Sequence, residues 1–214
     1  GPPSPRPCLL RDLVLVLGSR LDIRQTGSDL AGFSAGRRFF HVDCEPGETN
    51  NRVQGCVVWH EELLPFLENA INVLPGKRTN HDSWLAEIGA LRKERPDVNE
   101  LVGVKGINPN ALMHMVSRHT LYANAYISDV GQHQMWAAQS LALQPHQRFL
   151  TCGGMGAMGF ALPAAIGAAL ASGPVVLIAG DGGFQLNIQE LQTVARNRLP
   201  IKMIIINNHC HGMV

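Results

Sequence analysis

The stretch of residues 177–208, "LIAGDGGFQLNIQELQTVARNRLPIKMIIINN", decides the fold. It begins with an apolar, strand-like run that ends in Gly-Asp-Gly, continues as a helical stretch over 185–198, and closes with a second apolar run ending in Asn-Asn. A strand, a helix and a strand in this order predict two parallel strands joined by a right-handed crossover, which can be direct neighbours. Because the carboxyl ends of parallel strands line a ligand crevice, we expect Asp181 and Asn208 to lie at adjacent strand ends.

The same alternation runs through the rest of the chain. Strands are predicted at 12–18, 38–44, 55–59, 124–130, 148–152, 175–180 and 201–207. Helices are predicted at 60–74, 83–95, 131–139 and 185–198, with a glycine-rich helix after residue 152 and a further helix that Asn108 caps and Pro109 begins. Alternating strands and helices predict an α/β fold, with parallel sheets and helices on both faces.

Composition divides the chain into four segments. Residues 1–11 are rich in proline and predict a flexible lead-in. Residues 12–75 form a first α/β part, and 107–214 form a second. Between them, 76–106 hold prolines, charges and one amphipathic helix, which predicts a linker.

Charge and cysteine content exclude several classes of function. The net charge is +1, from 18 basic and 17 acidic residues, so no basic footprint for nucleic acid or a membrane surface is present. The five cysteines form no CxxC pair, which argues against a disulfide framework and a structural zinc site. Residues 149–180 carry no charge, but their glycines and prolines favour a buried helix and strand over a membrane span. We expect a cytoplasmic protein, or an organellar one in a eukaryotic source, with small-molecule partners.

The residue types at the two strand ends predict a metal site. A carboxylate and an amide oxygen, from Asp181 and Asn208, suit Mg²⁺, which takes few protein ligands and completes its shell with phosphate and water. Gly182 and Gly183 lack side chains, so their amides can approach a phosphate closely. The stretch therefore predicts a metal-bridged diphosphate site.

The spacing of these motifs resembles a known family. Gly180-Asp181-Gly182, followed by Asn207-Asn208 after a gap of 24 residues, resembles the signature of thiamine-diphosphate-dependent enzymes. "SDVGQHQMWAAQ" and "GGMGAMGFALPAAIGAAL" resemble the acetohydroxyacid (acetolactate) synthase branch, and "LVLVLGSRLDIRQTG" resembles the end of its middle domain. The resemblance implies that 12–75 are the C-terminal part of a Rossmann-like middle domain and that 107–214 are a C-terminally truncated cofactor-binding domain. The chain then reads as a fragment.

The resemblance also implies roles for single residues. Asp181, the side chain of Asn208 and the backbone carbonyl of Cys210 would bind Mg²⁺. Gln132 and His133 would contact the terminal phosphate, and Met158 would be the apolar wedge under the thiazolium ring. The implied cofactor-binding residues are Gln132, His133, Gly156, Met158, Gly180, Asp181, Gly182, Gly183, Asn208, Cys210, His211 and Gly212. Met213 and Val214 would lie on the substrate side.

The implied activity is decarboxylation of a 2-keto acid such as pyruvate, followed by transfer of the hydroxyethyl group to a second 2-keto acid, as in branched-chain amino-acid biosynthesis. Simple decarboxylation and the identity of the acceptor stay open. No catalytic residue is assigned, because the family's activating glutamate lies on a separate N-terminal domain, so the chain alone is expected to be inactive. Family members form homodimers or homotetramers. FAD binding is uncertain, since "LDIR" at 21–24 stands where FAD-dependent members show "FDDR".

Alternative interpretations accompany these motifs. Gly154, Gly156 and Gly159 spell GxGxxG, and Asp181 follows at a strand end, as in an NAD-binding Rossmann domain. That interpretation leaves Asn207-Asn208 unexplained. A noncatalytic protein that keeps the cofactor fold is a further alternative. Single residues have alternative interpretations as well. Asp181 could simply cap the helix that follows it, and Met158 could be an ordinary core residue.

Overall fold

Two parallel sheets organise the chain, one in each of two units. The computed structural model describes residues 12–74, 76, 80–99, 101, 103 and 105–213, so the predicted lead-in lies outside the described residues. The chain divides into units between Leu91 and Arg92, inside the segment predicted as a linker and within a helix, α4, at Asp82–Glu94. The α/β class with parallel strands is confirmed.

The first unit contains a three-stranded sheet in the order β1-β2-β3. Its elements are β1 (Leu13–Leu17), α1 (Ile23–Thr26), α2 (Leu30–Ser34), β2 (Arg38–Asp43), β3 (Val57–His60) and α3 (Leu63–Val73). The polar connection after β1 holds two short helices because an aspartate caps each one. Asp22 accepts from the amides of Arg24 and Gln25, and Asp29 accepts from that of Gly32.

The second unit contains a four-stranded sheet in the order β5-β4-β6-β7. Its elements are α5 (Pro109–His119), β4 (Ala125–Ser128), α6 (Gln132–Ser140), β5 (Arg148–Thr151), α7 (Ala161–Ser172), β6 (Val175–Gly180), α8 (Asp181–Leu186), α9 (Leu191–Asn197) and β7 (Ile201–Ile206). The side chain of Asn108 caps α5 by accepting from the Ala111 amide, and Pro109 begins the helix, as predicted.

Helices cover both faces of this sheet. Ile127 and Leu177 point to one face and pack with Leu162 and Ala165 of α7. On the other face, Tyr126, Val176 and Ile178 belong to a cluster with Met113 and Val116 of α5 and Ala137 of α6. Strands buried on both faces have no polar side to alternate with, and this explains the uninterrupted apolar runs in the sequence.

The helix predicted at 185–198 differs in the structure. It begins earlier, at Asp181, and it breaks at Asn187 into α8, a 3₁₀ turn at Ile188–Glu190 and α9. The break is caused by a contact with a distant segment, because the Asn187 side chain donates to the carbonyl of Gly159 at 2.8 Å. Asn187 itself lies at φ −128°, outside helical geometry.

The uncharged stretch 149–180 forms the end of β5, a loop, α7 and β6. In the described part of the chain, no helix has the length and apolar character needed to cross a membrane.

A partly buried polar network connects the start of the second unit to α5 and α6. The Oδ2 atom of Asp97 accepts from Ser140 Oγ at 2.5 Å and lies 2.8 Å from His114 Nε2. Ser140 Oγ in turn accepts from the Asn110 amide at 2.8 Å. Burial acts to raise the pKa of Asp97, but the hydrogen bonds from Ser140 and His114, the charge of His114 and the Val98 amide together lower it.

We expect Asp97→Asn to lower the free energy of unfolding by about 1–3 kcal/mol near neutral pH, because it removes a charge-assisted hydrogen bond. The folded-state pKa of Asp97 lies below the unfolded value of about 3.9, so the carboxylate stabilises the fold above that pH. That contribution is lost as the pH falls through the folded pKa. Urea unfolding of the wild type and the variant from pH 7 to pH 3 measures this contribution. A difference in unfolding free energy that stays constant over this range would contradict a stabilising role of the Asp97 carboxylate.

Candidate functional site

The two strand ends that the sequence singles out are neighbours. Gly180 pairs with Ile206 at the last step of the parallel β6–β7 ladder, so the two strands finish side by side. Asp181 is the first residue of α8, and Asn208 lies two residues beyond β7. The strand-helix-strand pattern predicted this adjacency.

Gln132, the first residue of α6, joins the segment after β7 to the rest of the site. Its Oε1 atom accepts from Asn208 Nδ2 at 3.0 Å, and its Nε2 atom donates to the carbonyl of Gly212 at 3.3 Å. Asn208 Oδ1 accepts from the Cys210 amide at 3.2 Å. The structure therefore brings Gln132 together with three predicted residues of the segment after β7, Asn208, Cys210 and Gly212.

The three glycines around Asp181 each lie against a different side chain. A Cβ added to Gly180 would lie 3.2 Å from Nδ1 of His133. A Cβ on Gly182 would overlap the His211 imidazole, and one on Gly183 would overlap the Asp129 carboxylate. The backbone between β6 and α8 is therefore closely surrounded, and residues without a side chain fit there.

His133 is buried, with 5% of its surface exposed, and its Nε2 atom has no hydrogen-bond partner in the described part of the chain. Burial lowers the pKa of His133 below its ordinary value. The charges of Asp129 and Asp181 and a hydrogen bond with the Asp129 backbone act in the opposite direction. The imidazole is therefore neutral near pH 7, and a buried polar atom without a partner requires an explanation such as a ligand or water.

Asp129 is a site residue that our sequence reasoning missed. It directly follows β4, is 1% exposed, and accepts from the amides of Val130 at 2.8 Å and Gly159 at 3.1 Å. Its position after β4 corresponds to that of Asp181 after β6. An acid immediately after a buried strand was the available signal, and it applies to both residues.

Among the described residues, no hydrogen bond links Gly156 or Met158 to the residues around Asp181 and Asn208. Gly156 lies at φ +73°, where glycine is favoured, and its amide donates to the Cys152 carbonyl within its own loop. Met158 is half-buried in the same loop. The roles of both stay predictions. Met213 is 45% exposed, and Val214 lies outside the described residues.

The oxygen atoms near Asp181 fit a magnesium ion. The Asp181 carboxylate is half-buried and makes no hydrogen bond or ion pair among the described residues, so it is available as a ligand. Asn208 Oδ1 accepts one hydrogen bond and has a second lone pair. No three His, Cys, Asp or Glu side chains form a metal-binding group in the described ranges, so a metal here would need amide and carbonyl oxygens. Mg²⁺ is bound in this way when phosphate supplies further ligands.

A cavity of about 660 Å³ lies in the first unit, apart from these residues. Its lining includes Arg20, Glu48 and Arg52. The Arg20 and Glu48 side chains form an ion pair at 3.3 Å, and Arg52 donates to Thr26 and Gly27. None of the residues predicted to bind the cofactor lines this cavity, and the chemistry of the strand ends favours the second unit as the site.

Comparisons with known proteins identify the family that the second half of the chain matches. Residues 129–214 match the family described as thiamine pyrophosphate enzyme, C-terminal TPP binding domain. The acetolactate synthase large subunit of Pyropia yezoensis is 38% identical over 213 residues, covering 95% of this chain and 35% of that protein. The isozyme 2 large subunit of Escherichia coli (strain K12) is 36% identical, with 95% of this chain and 36% of that protein covered. Acetolactate synthase 1, chloroplastic, of Nicotiana tabacum is 37% identical, with 95% and 31% covered.

The chain thus spans about a third of the length of the curated relatives it matches. The matched domain includes Gly154, Gly156 and Gly159, so these glycines belong to a thiamine pyrophosphate domain and the NAD-binding interpretation loses its support. Residues 129–214 therefore belong to the thiamine pyrophosphate enzyme family, and the chain as a whole is similar to one part of the acetolactate synthase large subunits.

Proposed function

We propose that this chain supplies the diphosphate and Mg²⁺ half of the cofactor site of a thiamine-diphosphate-dependent enzyme. The parent reaction would be decarboxylation of a 2-keto acid and carboligation to a second 2-keto acid. One observation carries the proposal: Asp181 and Asn208 lie at neighbouring strand ends, with Gln132 holding the Asn208 amide in place. The relatives named acetolactate synthase support the choice of reaction.

The metal would be held by the Asp181 carboxylate, Asn208 Oδ1 and the Cys210 carbonyl. These three oxygens come from two segments that the sheet brings together, so the ligand set exists only in the folded unit. The hydrogen bond from the Cys210 amide to Asn208 Oδ1 curves the chain after β7 into a tight turn. A divalent ion would bridge these oxygens to phosphate oxygens.

The diphosphate would lie near Gln132, His133 and the glycines at 180–183. Gln132 can donate one hydrogen bond to an oxyanion, and the amides of Gly182 and Gly183 can add two more. His133 would border the same space, and its Nε2 atom would donate to an oxyanion only in the protonated ring, since the proton of the neutral ring is used in the hydrogen bond with the Asp129 backbone. His211 and Gly212 would border the same space, since His211 lies against Gly182 and Gly212 against Gln132. Met158 would contact the apolar part of the cofactor.

When bound, thiamine diphosphate would supply a nucleophilic carbon for chemistry at a 2-keto group. The residues of this chain would hold the cofactor, and the bound metal ion would offset the phosphate charge. We propose that the parent protein works in branched-chain amino-acid biosynthesis as a homodimer or homotetramer, in the cytoplasm or, in a eukaryotic source, in an organelle. The Nicotiana tabacum relatives are named chloroplastic. The comparisons give no support for FAD.

A thermal shift measurement tests the proposal. We expect thiamine diphosphate with Mg²⁺ to raise the melting temperature of the second unit, because a ligand at 100 times its Kd stabilises the folded state by about 2.7 kcal/mol. For a unit of this size the shift corresponds to roughly 10 °C. Thiamine diphosphate with EDTA, and NAD⁺ alone, are the controls and should give no shift. A shift with NAD⁺, or the same shift with and without metal, would count against the proposed site.

A further inference from the structure

Asp129 occupies the centre of the site without being free to bind a metal. Both of its carboxylate oxygens accept backbone hydrogen bonds, Oδ1 from Val130 and Oδ2 from Gly159. Only 1% of the residue is exposed. Burying a carboxylate is unfavourable unless hydrogen bonds compensate it, so its position is fixed by these two amides.

Asp129 contacts three segments that are separate in the sequence. It directly follows β4, and it accepts a hydrogen bond from the Gly159 amide in the loop of residues 152–160, which we call the glycine loop. It also lies directly against Gly183 in the first turn of α8, where a Cβ would overlap its Oδ2 atom. The glycine loop contains Gly156 and Met158, and α8 begins at the proposed metal ligand Asp181.

The glycine loop has a second attachment at the same residue. Gly159 donates its amide to Asp129 and receives the Asn187 side chain on its carbonyl at 2.8 Å. Gly159 lies at φ +82°, and a Cβ there would lie 2.9 Å from Leu186 Cβ, so the loop approaches the end of α8 closely. The Asp129 carboxylate holds the glycine loop in this position by accepting the Gly159 amide.

We propose that Asp129 is a positioning residue, which holds the glycine loop against the first turn of α8 and thereby sets the space in which the diphosphate and thiazolium parts of the cofactor lie. This inference rests on the proposed function. Asp129 acts through Gly159 and Gly183 and does not contact the cofactor itself. Met158 reaches its proposed place because the residue that follows it is anchored by Asp129.

The variant Asp129→Asn tests this role in the full chain. Asparagine keeps one acceptor oxygen and replaces the other with an NH₂ donor, so either Val130 or Gly159 loses its partner. We expect hydrogen–deuterium exchange to rise about tenfold in peptides that cover 152–160 and to stay unchanged in α7 and β6. We also expect the Kd for thiamine diphosphate, titrated calorimetrically with saturating Mg²⁺, to rise about tenfold.

Asp97→Asn is the matched control. It makes the same chemical change in the same unit, within a network that does not include the site residues. We expect it to lower global stability while exchange at 152–160 and the cofactor Kd stay within twofold of wild type. If Asp129→Asn does not fold, Asp129→Ser removes the buried charge with a smaller side chain, and the same two measurements apply.

The outcomes separate this inference from the proposed function. If the wild-type chain fails to bind thiamine diphosphate, the proposed function is wrong, while the exchange of 152–160 still tests whether Asp129 holds the loop. If the wild type binds and the variant shows unchanged exchange and Kd, the positioning role is overturned. A rise in exchange spread evenly over the second unit would show a purely structural role and would overturn it too.

Discussion

Asp181→Asn should abolish metal-dependent binding of thiamine diphosphate. The carboxylate is the only anionic group among the three proposed metal ligands, and the described part of the chain provides no group of three acidic, His or Cys side chains to replace it. An amide oxygen is a much weaker ligand for a hard divalent ion. We expect the apparent Kd to rise at least about 100-fold, equivalent to about 2.7 kcal/mol.

Calorimetric titration of the cofactor at several Mg²⁺ concentrations measures the effect. Wild-type affinity should increase with Mg²⁺, and that of the variant should be weak and independent of it. The control is Glu190→Gln, the same change of charge in the same unit, at a side chain that accepts from Thr193. It should leave the Kd within twofold. Retention of wild-type metal dependence by Asp181→Asn would falsify the proposed ligand set.

Much of the fold follows from local sequence signals. The apolar runs of β6 and β7 are uninterrupted because both faces of the sheet are covered, and the β-branched residues in them favour strands. Asn108 and Pro109 begin α5 because they satisfy the first amides of the helix without any distant partner. Features that depend on neighbouring residues in the chain were therefore predicted correctly.

Features that depend on distant residues were missed. The helix after β6 breaks at Asn187 because its side chain bonds to Gly159, and nothing within the helix itself signals this break. The same holds for Asp129, because its contacts with the Gly159 amide and with Gly183 join segments that are far apart in the sequence. The pairing of Gln132 with Asn208 and Gly212 likewise appears only when the sheet brings α6 beside the end of β7.

The environment of Gly183 explains why a glycine follows Gly-Asp-Gly in this chain. A side chain at this position would overlap the Asp129 carboxylate, which is held by two amides and cannot move aside freely. In this protein, therefore, glycine at 183 and aspartate at 129 are a matched pair.

Ile178→Ala should produce the largest loss of stability among simple core substitutions in β6. Ile178 is fully buried in the strand between β4 and β7, and it packs in the cluster that includes Met113, Tyr126 and Ala137. Removing a buried aliphatic side chain loses its transfer free energy and leaves a cavity, which together amount to about 2–5 kcal/mol. Side chains from the neighbouring strand β4 and from helices α5 and α6 surround Ile178. Because these elements are closely packed, they cannot easily move in to fill the cavity.

Urea unfolding followed by tryptophan fluorescence measures this loss. Trp59 and Trp84 of the first unit are replaced by Phe in both the reference protein and the Ile178→Ala variant. Trp136 then remains as the probe and reports on the second unit alone. Trp136 packs against the same cluster as Ile178. The control is Ile188→Ala, the same substitution at a residue that is 48% exposed, and it should change the unfolding free energy by less than about 1 kcal/mol. Equal effects of the two substitutions would mean that β6 is not the buried centre of this sheet. The neighbouring strand ends that place Asp181 beside Asn208 would then lack the rigid support that the proposed site requires.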